Sequence, residues 1–293
     1  MVRSRTHRTR SLETTDGLAL HVEDWLLPTG RTRRGSALLV HGLGEHVGRY
    51  HHVARSLLSI GVEVRGYDQR GFGRSPGARA GIPHADALLD DARRVFDDWQ
   101  RDREDLPFLI GHSMGGAVAA RAATGGWITP RGLVLSSPAL GGRISAARRL
   151  ALQVGKRLSP DRPVPSGLKA DYVSRDPAVV ADYRSDPLVH GLITPRLAAF
   201  IVESGPKSIA AAGNFRVPTL VMLALADRLI DVDSARRFHD RLPADIATLR
   251  EYAGLYHEVF NEFPADRARV LSDLNAWLMD VIEGVDKPGA SQP

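Results

Sequence analysis

The sequence contains no cysteine, and this absence excludes disulfide bridges, thiol nucleophiles and metal sites built from thiolates. It also lacks any run of about eighteen consecutive apolar residues, so it predicts no membrane-spanning helix. The amino terminus is basic but no apolar segment follows it, which is not the pattern of a secretory signal. The lack of cysteine together with the lack of a signal favours a cytoplasmic protein.

A basic stripe interleaved with aromatic residues is also lacking, which argues against a nucleic-acid partner although the formal net charge is +5. Most of the excess positive charge comes from arginines near the amino terminus: Arg3, Arg5, Arg8 and Arg10. We therefore expect residues 1–12 to form a basic, flexible tail, with an arm that contacts anionic surfaces as the alternative. Apolar residues make up 43% of the chain, which is ordinary for a globular protein.

Short apolar runs alternate with helical patterns, which predicts an α/β fold with a mostly parallel central sheet flanked by helices. The first predicted strand, residues 18–25, alternates weakly and is interpreted as an edge strand. Over residues 139–214, arginine-rich helical pieces and prolines replace strands. We interpret this insertion as a helical cap over the carboxyl edge of the sheet. Residues 13–138 and 215–285 are then the core, and residues 286–293 a flexible end.

The segment 111–115, Gly-His-Ser-Met-Gly, carries the clearest chemical signal. It follows the apolar strand 106–110 and opens into an alanine-rich helix. Gly-x-Ser-x-Gly between a strand and a helix is typical of a nucleophile elbow, in which a tight turn exposes the serine hydroxyl. The helix also directs backbone N–H groups and its positive dipole end to that point. Ser113 is therefore the candidate nucleophile, and a glycine-rich turn with an idle serine is the alternative.

A serine hydroxyl needs a base to accept its proton, and hydrolases with this elbow place an acid and then a histidine after the serine. Asp227 lies just past the end of an apolar strand, at the sheet edge where α/β proteins bind ligands, and Asp231 is the fallback. His257 lies in the loop after the last predicted strand. We prefer it as the base to His190 in the cap and to His239 in an amphipathic helix.

Acyl transfer also requires donors for the negative oxygen of the tetrahedral intermediate. One is the backbone N–H of Met114, and the other is expected from Leu43, in the His-Gly-Leu-Gly loop that follows an earlier strand. Residues 42–48 have a rival interpretation as a dinucleotide-binding turn, but their spacing is G-x-G-x-x-x-G instead of G-x-G-x-x-G. A zinc site is also disfavoured, because the nearby histidines do not match H-E-x-x-H: His46, His51 and His52. We therefore predict no metal.

Beyond the elbow, the sequence resembles the monoacylglycerol lipase and lysophospholipase-like branch of the α/β-hydrolases. The similar segments follow one another in the family's order: 41–50, 67–75, 111–116, 185–188 and 226–231. The resemblance implies an α/β-hydrolase fold without a cofactor and a catalytic triad of Ser113, Asp227 and His257. It also implies that Leu43 and Met114 are the oxyanion donors.

The same resemblance suggests which residues lie near the polar head of the substrate: Glu45, Arg49 and Tyr183. For Glu45 and Arg49, pairing with each other or bracing the loop is the alternative. The second oxyanion residue of the family is often smaller than leucine, so Leu43 bears on the width of the acyl pocket.

Together these features predict a serine carboxylester hydrolase that cleaves monoacylglycerol or a similar lipid ester through an acyl-enzyme intermediate. A lysophospholipase, a short-chain carboxylesterase and a non-catalytic protein that binds an apolar ligand are the alternatives. In the cap, apolar residues at helical spacing stand among basic ones: Ile144, Leu150, Ala151, Val154 and Leu158, with Arg148, Arg149, Lys156 and Arg157. This pattern is typical of a helix that lies on a membrane surface, and packing on the core is the alternative.

Overall fold

The computed structural model describes residues 6–141 and 146–284, with residues 146–151 described by their backbone alone. The strands are β1 (His7–Glu13), β2 (Ala19–Trp25), β3 (Gly35–Val40), β4 (Val62–Tyr67), β5 (Phe108–His112), β6 (Leu133–Ser136), β7 (Val164–Pro165), β8 (Leu192–Ile193), β9 (Thr219–Ala224) and β10 (Ala247–Tyr252). The α-helices are α1 (His51–Ser59), α2 (Ala87–Gln100), α3 (Met114–Thr124), α4 (Ala146–Leu158), α5 (Pro177–Ser185), α6 (Pro195–Ala211), α7 (Val232–Arg241) and α8 (Pro264–Glu283). None of these described helices is both long enough and apolar enough to cross a bilayer.

Eight strands form one sheet in the order β1-β2-β4-β3-β5-β6-β9-β10. β2 runs antiparallel to both of its neighbours, and the other pairs are parallel. Alternate residues of the inner strands enter two separate apolar clusters, as Leu38 and Val40 do on one face of β3 and Ala37 and Leu39 on the other. Burial on both faces explains why β3, β5 and β9 consist mainly of apolar residues. The predicted α/β fold with a mostly parallel sheet is confirmed.

The amino-terminal segment is a strand instead of the predicted flexible tail. β1 pairs antiparallel with β2 over its full length, so the backbone groups of the two strands that face each other form hydrogen bonds. Nε2 of His7 lies 2.9 Å from a carboxylate oxygen of Glu23, and Arg10 pairs with Asp98 of α2. The tail prediction is therefore wrong from His7 onward, and residues 1–5 lie outside the described part. Because β1 covers it, β2 is an inner strand and not the predicted edge strand.

The cap segment, defined here as residues 139–214, contains α4, α5 and α6. It also contains β7 and β8, which pair antiparallel, so the expectation that it holds no strand is wrong for these short stretches. α6 packs on α3, the helix that follows the elbow. α6 also crosses the chain that follows β6, and this close approach requires Gly205, because a Cβ atom there would lie 1.7 Å from the carbonyl oxygen of Leu140. The predicted boundaries of core and cap stay a prediction, and residues 285–293 lie outside the described part.

Parallel strands place their carboxyl ends at one edge of the sheet, and the predicted site residues lie there. The loop after β3 carries Leu43, the turn after β5 carries Ser113, and the loop after β9 carries Asp227. The loop after β10 carries His257. Because β9 and β10 are parallel neighbours, Asp227 and His257 leave the sheet side by side.

Candidate active site

Ser113 occupies the turn between β5 and α3 in a backbone conformation that L-residues rarely adopt. Its φ is 53° and its ψ is −118°, a strained state that persists only where the surroundings enforce it. A Cβ atom at Gly115 would lie 2.2 Å from the carbonyl oxygen of Val40, and one at Gly111 would lie 2.3 Å from that of Gly115. Packing therefore requires both glycines, and the turn has the geometry of a nucleophile elbow.

Asp227 and His257 form a short, buried hydrogen bond. Nδ1 of His257 lies 2.6 Å from Oδ2 of Asp227, whose side chain is fully buried. The other carboxylate oxygen accepts hydrogen bonds from the backbone N–H groups of Leu229 at 2.8 Å and Ile230 at 3.2 Å. Burial raises the pKa of Asp227, but the charge of His257 and these hydrogen bonds outweigh burial and hold that pKa below its usual value. Asp227 is therefore an anion that orients the imidazole.

The environment of His257 favours its protonated form more than water does. Burial lowers the pKa of His257, but the Asp227 carboxylate and its hydrogen bond raise it further, with additional contributions from Glu258 and Glu45. The net effect is a pKa above the ordinary value. Because Nδ1 bonds to Asp227, Nε2 is the nitrogen left to exchange a proton with a reactant. His257 and Ser113 line the same cavity.

The loop that carries Leu43 is fixed on both sides. The backbone N–H of Gly42 donates to Oε1 of Glu45 at 2.6 Å, and the carbonyl of Gly44 accepts from the backbone N–H of His190 in the cap segment at 2.9 Å. A Cβ atom at Gly44 would lie 2.5 Å from the carbonyl oxygen of His190, so the two loops touch backbone to backbone. Leu43 and Met114 line the cavity together with Ser113.

Glu45 and Arg49 bond to each other and brace the loop, which is the alternative that the sequence left open. Glu45 accepts from Nη1 of Arg49 at 2.7 Å and from the hydroxyl of Tyr50 at 2.6 Å. Burial raises the pKa of Glu45, but Arg49 and neighbouring donors lower it to about 2. The guanidinium of Arg49 lies 4.8 Å from the ring centre of Tyr183. Glu45 and Tyr183 line the cavity, whereas Arg49 is not among the lining residues.

The cavity at this edge of the sheet has a volume of about 190 Å³. Most of its wall is apolar, drawn from the core and from the cap segment: Leu43, Met114, Ala139, Leu168, Val173, Ile193, Ile201, Leu229 and Ile230. The acidic and phenolic lining residues surround Arg49: Glu45, Tyr183 and Glu258. The cavity therefore has an apolar wall for a hydrocarbon chain and a polar side gathered around one buried ion-pair network.

Residues 31–264 match the family model of serine aminopeptidases of family S33, a group of hydrolases. The chain belongs to this family. The matched residues include strands β3 to β10 and the whole cap segment.

This S33-family hydrolase is 35% identical over 280 residues to the monoacylglycerol lipase of Mycolicibacterium smegmatis, and the alignment covers 94% of this chain and 98% of that one. It is 32% identical over 236 residues to phospholipase YtpA of Bacillus subtilis, over 77% of this chain and 88% of that one. The crystal structure of Paleococcus ferrophilus monoacylglycerol lipase aligns with a TM-score of 0.80 at 30% identity, covering 89% of this chain and 99% of that one. These findings confirm the predicted resemblance and the α/β-hydrolase fold, and the chain is a hydrolase.

The residues of three alternative interpretations from the sequence have other hydrogen-bond partners in this S33-family hydrolase. Asp231, the fallback acid, precedes α7 and pairs with Arg237 at 3.3 Å, whereas His257 bonds to Asp227. The three histidines of the disfavoured zinc site bond to separate groups, namely His46 to Asp186, His51 to Trp25 and His52 to the carbonyl of Phe260. In the glycine-rich loop, Glu45 bonds to the N–H group that a dinucleotide phosphate would need.

Two residues of the site were not predicted from the sequence. Glu258, directly after the candidate base, is 4% exposed and forms a two-point ion pair with Arg49. His112, directly before the candidate nucleophile, lies with its ring centre 4.8 Å from that of His257. Burial lowers the pKa of His112 to about 4, so it stays neutral beside the base. Their adjacency to Ser113 and His257 was the available signal, but it does not specify a role.

Proposed function

We propose that this hydrolase is a serine carboxylester hydrolase that cleaves monoacylglycerols or similar lipid esters. The observation that carries the proposal is that a strained serine at an elbow and a histidine oriented by a buried carboxylate line one cavity with an apolar wall. Two relatives named monoacylglycerol lipase, from Mycolicibacterium smegmatis and Paleococcus ferrophilus, support the choice of substrate. The proposed triad is Ser113, Asp227 and His257.

In the first half of the proposed reaction, Nε2 of His257 accepts the proton of Ser113 while the serine oxygen bonds to the ester carbonyl carbon. The electron pair of the C=O bond moves onto its oxygen, which the backbone N–H groups of Leu43 and Met114 stabilise. The C–O bond to the alcohol then breaks, and the imidazolium gives its proton to the departing alcohol. Asp227 holds the imidazole in the correct tautomer and stabilises its charged form.

In the second half, water replaces the alcohol. Nε2 of His257 accepts a proton from water while the water oxygen bonds to the acyl carbon, and the same oxyanion donors stabilise the intermediate. The bond to Ser113 then breaks, and the serine oxygen recovers the proton from the imidazolium. The products are a fatty acid and the free enzyme. This cycle uses groups of the chain and water, and it requires no cofactor.

The lining of the cavity suggests where the two parts of a lipid ester bind. The apolar wall suits the acyl chain, because removal of hydrocarbon from water stabilises the complex by about 0.8 kcal/mol for each buried CH₂ group. We assign the alcohol part to the side near Glu45, Arg49 and Tyr183, where acceptors and a phenol can bond to hydroxyl groups. In this arrangement Arg49 does not line the cavity and instead positions Glu45 and Glu258, which do.

The substitution Ser113→Ala tests the proposal. We expect the turnover of a monoacylglycerol to fall by at least about 10⁴-fold, with the unfolding temperature unchanged. A fluorophosphonate probe should label the wild-type protein at Ser113 and leave the variant unlabelled. Undiminished turnover by a folded variant contradicts the proposal. A wild-type protein that neither turns over esters nor reacts with the probe is instead a non-catalytic binder of apolar ligands.

A phospholipase is the second candidate function, because phospholipase YtpA of Bacillus subtilis is 32% identical over 77% of this chain. The triad chemistry is the same for both substrates, so only the head group distinguishes them. Turnover of monoacylglycerols, lysophospholipids and p-nitrophenyl esters with equal acyl chains decides between the candidates. A general short-chain carboxylesterase is expected to prefer the shortest p-nitrophenyl esters over all lipids.

We also propose that the cap segment contacts membrane surfaces. Val154 and Leu158 of α4 are 48% and 75% exposed, and Lys156 and Arg157 lie between them in the sequence. In the same cap segment, Leu168 is 41% exposed and lines the cavity. A helix with exposed apolar and basic residues binds anionic lipid surfaces. The side chains of the other residues in the predicted amphipathic pattern, at positions 144 and 148–151, lie outside the described part.

Co-sedimentation with phosphatidylglycerol vesicles tests this contact. We expect the wild-type chain to sediment with the vesicles and the double variant V154S/L158S to remain in solution. Leu106→Ser is the matched control, because Leu106 is 37% exposed but precedes β5, at the opposite edge of the sheet. If the wild-type chain does not sediment, or if both variants bind as well as the wild type, α4 is not a membrane contact.

A further inference from the structure

We infer that Glu258 determines the head-group selectivity of the site: it holds Arg49 out of the cavity and leaves the alcohol side negatively charged. Esters of uncharged polyols are then accepted, and esters whose head group carries a phosphate are rejected. This inference rests on the proposed function and names the substrate class of the same site.

The charged side chains that line the described cavity are predominantly negative. Among the described residues that line it, two are carboxylates, Glu45 and Glu258, and none is a lysine or an arginine. Two other titratable groups of the lining are neutral, since burial lowers the pKa of His112 to about 4 and raises that of Tyr183 well above its ordinary value. His257 is neutral in the form that acts as the base, and it gains a charge when it accepts the serine proton.

Arg49 is the cation paired with these carboxylates, and three of its five N–H donors bond to them. Nη1 donates to Glu45 and to Glu258, each at 2.7 Å, and Nη2 donates to the second oxygen of Glu258 at 2.7 Å. The ring of Tyr183 covers the guanidinium, and the side chain of Arg49 is 11% exposed. One positive charge is therefore shared between two negative charges, and the group carries a net charge of −1 (two carboxylates and one guanidinium).

This charge separates the two candidate substrate classes. The hydroxyl groups of an uncharged glycerol donate hydrogen bonds to carboxylates, which only accept them. A phosphate offers no such donors, and two like unit charges about 6 Å apart at an effective dielectric constant of about 20 lower affinity roughly 100-fold. Without Glu258, Arg49 would keep one acidic partner and could turn its free donors towards a phosphate.

The test uses two substrates that differ by one phosphate, the octanoyl esters of glycerol and of glycerol 3-phosphate. We expect kcat/KM of the wild-type enzyme to favour the glycerol ester by at least about 100-fold at low salt, and less at high salt, because salt screens the repulsion. In Glu258→Gln, the ratio of kcat/KM for the glycerol ester to kcat/KM for the phosphate ester should fall by at least about tenfold. A catalytic loss common to both substrates cancels in this ratio. Glutamine also keeps an oxygen that can accept from Asn261.

Two further variants make the result specific. In the double variant E258Q/R49Q, the ratio should return towards its wild-type value, because the uncovered cation is gone. Glu262→Gln is the matched control, since this carboxylate is also buried and paired with an arginine, Arg175, but does not line the cavity. We expect it to leave the ratio unchanged.

A wild-type enzyme that cleaves the two esters within about threefold of each other overturns the inference, and so does an unchanged ratio in folded Glu258→Gln. If that variant does not fold, the salt dependence of the wild-type ratio decides, and a salt-independent ratio overturns the inference. Turnover of p-nitrophenyl octanoate shows which idea has failed. If the wild-type enzyme does not hydrolyse it, the proposed function fails, whereas hydrolysis with an unselective ratio removes only the role of Glu258.

Discussion

Oδ2 of Asp227 lies 2.6 Å from Nδ1 of His257, although 30 positions separate the two residues in the sequence. The parallel pairing of β9 with β10 brings them together, because each residue lies in the loop that follows one of these strands. The bond fixes the tautomer of the imidazole, with the proton on Nδ1 and the lone pair on Nε2. A purely electrostatic effect of Asp227 on His257 would not require this direct hydrogen bond, whereas control of the tautomer does.

Asp227→Asn is expected to lower kcat by about 10⁴-fold, because an amide in this position favours the wrong tautomer of His257. The measurement is steady-state hydrolysis of a monoacylglycerol, with the rate of fluorophosphonate labelling of Ser113 as a second readout. Asp231→Asn is the control and should stay within about threefold of the wild type, since that side chain pairs with Arg237. Equal losses in both variants would show that Asp227 is not the orienting acid.

The pH dependence of kcat/KM should show an acid limb above 6.5, the ordinary pKa of histidine. The base must be neutral, and burial lowers the pKa of His257 less than the charges of Asp227, Glu258 and Glu45 raise it. Activity therefore falls as pH drops through this raised pKa. Glu258→Gln removes one of the raising charges, so its acid limb should move to lower pH. An acid limb below 6.5 in the wild-type enzyme would contradict this assignment of the base.

Gly42→Ala is expected to lower kcat about 100-fold while KM changes little, because it displaces the loop that carries the Leu43 donor. The new Cβ atom would lie 2.8 Å from Oε1 of Glu45 and 3.2 Å from Cβ of Ser113. Gly191→Ala is the control, since no described atom lies within 4 Å of the corresponding position. Separate kcat and KM values measured on a monoacylglycerol check the prediction. A proportional rise in KM instead would indicate a binding defect.

Gly205→Ala should destabilise the protein by about 2 kcal/mol or more, although alanine favours helices by about 1 kcal/mol over glycine. The added Cβ would lie 1.7 Å from the carbonyl oxygen of Leu140, so α6 must move away from the chain it crosses. Gly213 is the control, because a Cβ atom added there would lie 3.7 Å from its nearest neighbour, the carbonyl oxygen of Arg241. Gly213→Ala should therefore change the free energy of unfolding by less than about 0.5 kcal/mol. Urea unfolding of both variants provides the comparison, and equal midpoints would refute the packing argument.

The elbow and its partners could be predicted because each depends on a local pattern. The glycines around Ser113 are required by a turn of a few residues, and Asp227 directly follows an apolar run that fills the sheet interior. Chain order then pointed to His257 among the later histidines. The fold class could be predicted from the same short apolar runs, because strands that are buried on both faces are mainly apolar and can be identified without knowledge of their neighbours in the sheet.

The features that were missed depend on contacts between distant parts of the chain. β1 buries only Leu12, so it lacks the alternation of apolar residues that indicates a strand, and it forms because β2 offers an open edge. The partner of Arg49 lies 209 positions away, at Glu258, and no spacing rule encodes that ion pair. Strands β7 and β8 are two residues long each, which is too short for a pattern of alternating apolar and polar residues.

The hydrogen bond from His190 to Gly44 joins the cap segment to the residue next to Leu43. The loop that carries the proposed oxyanion donor is therefore tied to the cap segment through its backbone. We expect a displacement of the cap segment at His190 to move this donor as well, so that changes in the cap alter kcat and not only KM.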